Sequence, residues 1–166
     1  PHTMSKNLEG LNDLKSPIKS DCVNSTFRFR VLKSRGKILK KSMHPGIDIA
    51  APRHTPVLAI ANGRVVRNVS RCTDQGRLTG CNSGFGNQIF IQHKTNGKKW
   101  FSSYNHMTKT VIKKRQVVEA GQQIGTVGNT GYSTGDHLHV EVMDANQVRS
   151  NPLNYFRPDV LKECGK

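Results

Sequence analysis

Residues 137–142, with the sequence HLHVEV, alternate strictly between polar and apolar side chains. A period of two is typical of a β-strand, because successive side chains point to opposite faces of a sheet. The three apolar residues would lie on the core face, with both histidines and the glutamate on the opposite face. This stretch therefore predicts a strand that presents two imidazoles side by side.

Other short runs of β-branched, aromatic and apolar residues also have the composition of strands. They are residues 57–61, 63–66, 87–93 and 100–104. The pairs Asn62-Gly63 and Asn96-Gly97 each predict a hairpin turn, and no stretch shows a long helical period. The sequence therefore predicts an all-β fold, mostly antiparallel, with short helix or coil at its termini.

The chain has 166 residues, which suits one domain with its own hydrophobic core. Residues 1–4 (PHTM) resemble a cloning remnant, and residues 1–21 as a whole are polar and lack a sustained period. We expect residues 1–21 to form a loosely packed tail or short helix and residues 22–166 to form a single domain. No apolar run approaches the roughly 18 residues that span a bilayer, so no membrane span is expected.

The chain carries 26 Lys and Arg against 11 Asp and Glu, a formal charge of +15. Such an excess indicates an acidic partner, and nucleic acid, anionic lipid and bacterial wall polymers all qualify. The aromatic residues are scattered rather than interleaved with basic ones, so we expect no nucleic-acid binding. A solvated surface is the simpler interpretation of the basic runs.

The four cysteines form no C-x-x-C pair, which disfavours a zinc ribbon or a thioredoxin-type redox centre. Disulfides are then the better interpretation, and four cysteines allow three connectivities. We favour Cys72 with Cys81, which closes a short loop, and Cys22 with Cys164, which ties the two ends of the domain. This pairing implies an oxidising compartment, whereas four buried thiols in a cytosolic protein are the alternative.

His44 and Asp48 are separated by Ile47 and a Pro-Gly pair. Proline disfavours a helical conformation in the residue before it, and glycine weakens a helix further, so this segment is extended or turning. A bend at the Pro-Gly pair would bring the imidazole and the carboxylate together, within reach of one zinc ion.

Adjacent histidines on one face, as predicted for His137 and His139, are costly as two cations, so at least one is neutral or bound to a metal. Two histidines and one carboxylate make a catalytic zinc set that leaves a position open for water. His106, which follows a predicted strand, is the natural acid or base partner. The chain has no H-E-x-x-H, which excludes the zincin arrangement.

Three further polar residues have simpler explanations. Glu141 lies two residues beyond His139 on the same face, where it would orient that histidine or, more simply, be an exposed strand residue. We expect His93 to be structural or solvated, and His54, between two prolines, to be an exposed loop residue.

Four segments, in this order along the chain, closely resemble the lysostaphin-like zinc metallopeptidases, which cut peptidoglycan peptides. They are residues 44–52 (HPGIDIAAP), 104–107 (YNHM), 121–131 (GQQIGTVGNTG) and 133–141 (STGDHLHVE). The similarity covers residues 25–156. The resemblance implies a compact, mostly antiparallel β-domain that holds the zinc ion in a groove.

The resemblance also implies the roles of the site residues. His44, Asp48 and His139 would bind one zinc ion, while His106 and His137 flank the reacting water, one as general base and the other stabilising the oxyanion. Family members that only activate other wall hydrolases have typically lost zinc ligands, whereas this chain retains all three.

We therefore expect a zinc endopeptidase, a peptidoglycan hydrolase that is periplasmic or secreted and monomeric. Its expected target is the D-alanyl-diaminopimelate cross-link, with a glycine bridge as the second choice of substrate. The alternative is a non-catalytic wall-binding or hydrolase-activating module of the same fold.

Some segments depart from the family pattern. Arg28 stands where many members have glycine, Asn105 stands where alanine is common, and the segment 36–44 is longer and lysine-rich. The insert between Cys72 and Cys81 is also unusual, and it is a candidate wall of the groove.

Overall fold

The computed structural model describes residues 13–19, 21–73 and 78–165. Its strands are β1 Arg28–Ser34, β2 Lys37–His44, β3 Ile47–Ala50, β4 Pro56–Leu58, β5 Gly63–Val69, β6 Asn87–Thr95, β7 Lys98–Thr110, β8 Val117–Val118, β9 Gln123–Val127, β10 His137–Asp144 and β11 Arg149–Ser150. The helical elements of these ranges are two short 3-10 turns, Cys81–Gly84 and Pro152–Tyr155. None of the described residues belongs to a helix with the length and apolar character needed to cross a membrane. The predicted all-β fold is confirmed.

One nine-stranded sheet forms the body of the protein, and its main path runs β11-β10-β7-β6-β5-β8. Strand β3 adds to β10, and β4 joins through β9, which pairs with β7. Strands β1 and β2 form a separate two-stranded sheet, and every strand pair is antiparallel. The sheet therefore gathers β3, β10 and β7 side by side, which is where the candidate site lies.

The two predicted Asn-Gly turns have different outcomes. Asn96 and Gly97, with φ values of 52° and 77°, join β6 to β7 as a tight hairpin, as predicted. Asn62-Gly63 is not a hairpin turn, because β4 pairs with β9 while β5 pairs with β6 and β8. The Asn62 side chain instead accepts a hydrogen bond from the backbone N–H of Ala120. A nonlocal contact thus replaces the local turn.

The core is a single cluster of apolar side chains. Leu138, Val140 and Val142 of β10 are fully buried in it, on the face that the alternation predicted. The opposite face of β10 is also covered, since His139 and Glu141 are buried as well. This strand is therefore enclosed on both sides, and its polar face is an interior site rather than a solvated surface.

Two disulfides cross-link the protein, and one of them joins its two terminal segments. Cys22 is bonded to Cys164, beside a backbone bridge between Val23 and Glu163, and Cys72 is bonded to Cys81. These are the two pairs that the sequence analysis favoured.

The segment 13–19 packs more tightly than the predicted loose tail. Leu14 and Ile18 are buried in the core, and the backbone of this segment exchanges hydrogen bonds with Leu58 and Ile60. This contact was not predicted because the buried residues of the segment, Leu14, Pro17 and Ile18, are too few to form a periodic apolar pattern. Residues 1–12 and residue 20, which complete the predicted tail, lie outside the described residues.

His93 is part of a buried polar network that crosses the sheet. Its Nδ1 lies 2.7 Å from the Asn62 carbonyl oxygen, and its Nε2 lies 2.7 Å from Ser102 Oγ. Ser102 in turn contacts the Tyr104 hydroxyl, and the His93 ring stacks on Trp100. His93 is therefore structural, one of the two roles expected for it, and burial lowers its pKa to about 4.

This burial makes the free energy of unfolding depend on pH. A histidine whose pKa falls from 6.5 to about 4 on folding destabilises the folded state as the pH drops through that window. We expect the parent protein to lose about 3 kcal/mol more stability than His93→Gln between pH 7 and pH 4, as measured by urea unfolding. His54→Gln, at an exposed loop histidine, serves as the control and should keep the parental pH dependence. Parallel stability curves for the parent and His93→Gln would contradict this account.

Candidate metal centre

The strand register brings Asp48 and His139 together. Strands β3 and β10 are antiparallel neighbours, and Asp48 lies directly opposite His139 in their pairing. Their side chains share one face, so His139 Nδ1 lies 2.8 Å from Asp48 Oδ1. A shift of one residue in this register would turn one of the two side chains toward the core.

His44 reaches the same carboxylate because the chain bends after β2. Strand β2 ends at His44 and β3 begins at Ile47, so the bend falls at the predicted Pro-Gly pair. His44 Nε2 lies 3.1 Å from Asp48 Oδ2. A Cβ at Gly46 would collide with the carbonyl oxygen of Val140, so only glycine allows this bend to pack against β10.

The inner atoms of these three side chains form a compact set of possible metal ligands. One atom each from His44, Asp48 and His139 lie within 4.8 Å of one another. The His44 Nδ1–H donates to the Thr26 carbonyl oxygen at 2.8 Å, which leaves Nε2 for a metal. His139 Nε2 donates to Glu141 Oε2 at 2.8 Å, which leaves Nδ1. Each ring is thus oriented by its outer nitrogen, as metal-binding histidines usually are.

Glu141 is not the exposed strand residue that was its simpler interpretation. It is 1% exposed and lies between His139 and Arg149, whose Nε donates to Glu141 Oε1 at 2.6 Å. Because a buried carboxylate needs partners, this double contact explains how Glu141 stays charged. Glu141 therefore orients His139.

Alternating charges set the ionisation of the site. Burial alone would raise the pKa of Asp48, but hydrogen bonds from His139 and His44 outweigh it and hold the pKa far below its ordinary value. Burial likewise opposes ionisation of Glu141, but His139 and Arg149 lower its pKa. The two carboxylates raise the pKa of His139 to about 9 despite its burial. A divalent cation would take the place of the proton on Nδ1 of this ring.

His106 lies in strand β7, where the pairing register with β6 shifts. Its φ of 64° is left-handed, which is rare for a residue other than glycine and is often found at functional sites. Its Nδ1–H donates to the Thr130 carbonyl oxygen at 2.8 Å. Gly86 packs so closely on Thr130 that a Cβ there would collide with the same oxygen. Burial, reinforced by the neighbouring His137, lowers the pKa of His106 to about 4, so this ring is neutral at pH 7.

His137 lies beside His106 at the rim of the same cavity. The two ring centroids are 4.9 Å apart. The His137 Nδ1–H donates to the Gly135 carbonyl oxygen at 2.9 Å, and its Nε2 lies 3.6 Å from Asp48 Oδ1, beyond hydrogen-bond distance. Both rings thus use Nδ1 as a donor to a backbone carbonyl and keep Nε2 as the available nitrogen.

The five residues predicted for the site line one open cavity of about 480 Å³: His44, Asp48, His106, His137 and His139. His54 is exposed in a loop, as predicted, and His93 belongs to the separate network described above. The backbone carbonyls of Thr26 and Thr130, which orient His44 and His106, were not predicted. Every residue has such a carbonyl, so the sequence does not single these two out. The contact of Arg149 with Glu141 was also not predicted, although a turn between β10 and β11 would have brought these two residues close together.

The donor set fits a zinc ion. Two imidazole nitrogens and one carboxylate oxygen are usual ligands of catalytic zinc, which keeps a fourth position for water. Each of the two histidines has an outer contact that fixes its orientation, and His106 and His137 line the same cavity.

Sequence comparison gives independent matches. The profile of peptidase family M23 matches residues 42–152. The chain is 37% identical over 117 residues to the peptidoglycan DD-endopeptidase ShyA of Vibrio cholerae, covering 70% of this chain and 23% of that protein. It is 31% identical over 153 residues to ShyC, a peptidoglycan DD-endopeptidase of the same organism, covering 92% of this chain and 31% of that protein. The chain thus spans only about a quarter to a third of these relatives.

Solved structures show the same fold. The catalytic domain of the antimicrobial peptidase lysostaphin from Staphylococcus simulans superposes with a TM-score of 0.62 at 30% identity, covering 81% of this chain and 91% of that one. A zinc-containing peptidase from Vibrio cholerae superposes with a TM-score of 0.63 at 28% identity, covering 84% of this chain and 39% of that one. The predicted resemblance to lysostaphin-like peptidases is confirmed.

The geometry predicts separate effects of ligand and orienting residues on metal affinity. Asp48→Ala should abolish stoichiometric zinc binding, because it removes the carboxylate between the two imidazoles. Glu141→Gln should weaken zinc affinity by about 10- to 100-fold, the usual effect of removing an outer partner of a ligating histidine. Competition with a chromophoric chelator measures both.

Glu119→Gln is the matched control, since Glu119 is exposed and does not line this cavity. It should bind zinc like the parent. A folded Asp48→Ala protein, verified by circular dichroism, that retained parental zinc affinity would contradict the assignment.

Proposed function

The chain belongs to peptidase family M23, and on this premise we propose that it is a zinc-dependent endopeptidase that hydrolyses peptide bonds of bacterial peptidoglycan. The observation that carries the proposal is the His44, Asp48 and His139 cluster with two more histidines on the same cavity. A wall-binding module would need neither the intact ligand set nor the second pair of imidazoles.

His44, Asp48 and His139 would hold the zinc ion. When bound, zinc would act as a Lewis acid that activates water and polarises the scissile carbonyl. Asp48 contributes the negative charge of the ligand set, and Glu141 and Thr26 fix the two ligand rings.

His106 and His137 would carry out the proton transfers. In each ring the Nδ1–H is held by a backbone carbonyl, so the exchangeable position is Nε2. One ring accepts the proton of the attacking water and later returns it to the departing amine, while the other stabilises the oxyanion of the tetrahedral intermediate. The neutral state of His106 at pH 7 suits a proton acceptor.

The proposed substrate is the direct D-alanyl-diaminopimelate cross-link, and a glycine bridge is the second choice. Both Vibrio cholerae relatives described above carry the name peptidoglycan DD-endopeptidase, which supports cleavage between D-amino acids. The two disulfides support a periplasmic or secreted location, because such bonds persist in oxidising compartments.

Digestion of purified Gram-negative peptidoglycan tests the proposal. The zinc-loaded protein should convert cross-linked muropeptide dimers to monomers with new D-alanine carboxyl ends and free diaminopimelate amines, identified by mass spectrometry. His106→Ala should keep zinc but lose at least about 100-fold in rate, because a proton-transfer group is removed.

Wall binding without any new peptide ends would contradict the enzyme and support the non-catalytic module. Full muropeptide release by His106→Ala would contradict the proposed role of that histidine.

The charge of +15 predicts a tethering effect on intact walls. Wall polymers carry carboxylates and phosphates, so a basic domain is held near them by attraction that salt screens. Activity on intact walls should therefore fall more steeply with added sodium chloride than activity on a short soluble peptide. Equal salt sensitivity of the two substrates would show that the charge does not tether the enzyme.

A further inference from the structure

A second cavity, of about 410 Å³, adjoins the metal cavity. Ser83 and Phe85 line both cavities, so they form a common wall. Glu141 also lines the second cavity and contacts His139 of the metal centre. A polymer bound across the metal centre could therefore continue into the second cavity.

Two arginines line the second cavity, and the charge of Arg67 is uncompensated. Arg67 Nε donates to Gln88 Oε1 at 3.1 Å, and its Nη2 donates to Asn82 Oδ1 at 2.8 Å. Both acceptors are neutral amides, and no carboxylate of the described ranges forms an ion pair with Arg67. Arg149 uses its Nε for Glu141, so its terminal nitrogens are not part of that contact. The cavity therefore keeps a net positive charge.

The position of Arg67 is fixed by a chain of hydrogen bonds that reaches the metal ligands. Gln88 is buried, and its Nε2 donates to Asn105 Oδ1 at 2.7 Å. Asn105 Nδ2 donates in turn to the His139 carbonyl oxygen at 2.9 Å. Asn105 is one of the positions where the sequence departs from the family pattern, so this link is a feature of this chain.

The second hydrogen-bond partner of Arg67, Asn82, directly follows the disulfide-closed insert. Asn82 follows Cys81, which is bonded to Cys72, and it has a left-handed φ of 53°. Its Nδ2 donates to the Gly86 carbonyl oxygen at 3.0 Å, which directs Oδ1 toward Arg67. The residue after the insert thus positions the guanidinium before any ligand binds.

The rest of the cavity suits a peptide. Phe90 and Phe101 line it as a tilted pair with ring centroids 5.7 Å apart, which gives an apolar wall for an aliphatic side chain. A positioned guanidinium binds a carboxylate through charge-assisted hydrogen bonds, often two in parallel. Peptidoglycan stem peptides carry such free carboxylates beside aliphatic segments.

We propose that Arg67 and Arg149 form a subsite that binds a free carboxylate of the peptidoglycan stem peptide, next to the bond held at the metal centre. This inference rests on the proposed function, since the stem peptide is the substrate of the same site. Asn82, Gln88 and Asn105 act as positioning residues for Arg67.

Arg67 offers the clean test, because a change at Arg149 would also disturb Glu141. The substrates are a cross-linked muropeptide dimer and a set of dimers in which one carboxylate at a time is converted to a carboxamide. For the parent enzyme, one of these amidations should lower kcat/KM by about 10- to 100-fold, chiefly through KM. Arg67→Gln should show a similar loss on the free acid and little further loss on that amide.

Arg64→Gln is the matched control, because it removes the same charge from an exposed residue of the same strand that lines neither cavity. It should keep the parental preference for the carboxylate. Arg67→Lys should restore the preference in part, since it keeps the charge but not the paired donors. An Arg67→Gln enzyme that loses activity equally on every substrate, or a parent enzyme indifferent to every amidation, would overturn the proposal.

A binding measurement separates this inference from the proposed activity. The stem tetrapeptide L-Ala-D-Glu-diaminopimelate-D-Ala is titrated by calorimetry into chelator-treated parent protein and Arg67→Gln, so that no turnover occurs. About 10-fold weaker binding to the variant supports the subsite even if no cleavage is ever observed. Equal affinity of the two proteins overturns the subsite and leaves the peptidase proposal standing.

Discussion

The pairing register of β3, β10 and β7 is the constraint on which the site depends. His139 lies opposite Asp48 on one side and opposite Asn105 on the other. One row across three antiparallel strands thus contains two of the three proposed ligands and the amide that leads to Arg67. Because side chains alternate along a strand, this register also puts Leu138 and Val140 in the core. The same register therefore buries the apolar side chains that stabilise the sheet and sets the geometry of the site.

Electrostatics explains why the site holds together before a metal binds. Asp48, His139, Glu141 and Arg149 alternate in charge, and each contacts the next within 2.8 Å. Removing one member would leave a buried charge without its partner, which costs more than a missing surface ion pair. In the proposed zinc-bound protein, the ion would take the place of the proton on His139 Nδ1, beside Asp48. Burial lowers the pKa of His106 to about 4, so this ring is neutral at pH 7 and can accept a proton.

The fold class and the clustering of His44, Asp48 and His139 were predictable because both are encoded in short stretches of sequence. The alternation of residues 137–142 and the bend at Pro45-Gly46 depend on neighbours in the chain, and the structure has both. The prediction of a hairpin turn at Asn62-Gly63 was wrong because the strand that follows, β5, pairs with β8 rather than with β4. The burial of Glu141 and the position of Arg67 depend on residues that are remote in sequence, and no local pattern contains them. Arg149, in contrast, lies close to Glu141 across a short turn.

An anomalous diffraction measurement at the zinc absorption edge, on crystals of the zinc-loaded protein, would locate the metal. We expect one zinc peak at the His44, Asp48 and His139 cluster, with His44 Nε2 and His139 Nδ1 each about 2.0 to 2.1 Å from the ion. Glu141 should remain bonded to the outer nitrogen of His139 without touching the metal. A peak at any other position, or a zinc ion bound through Glu141, would contradict the central claim.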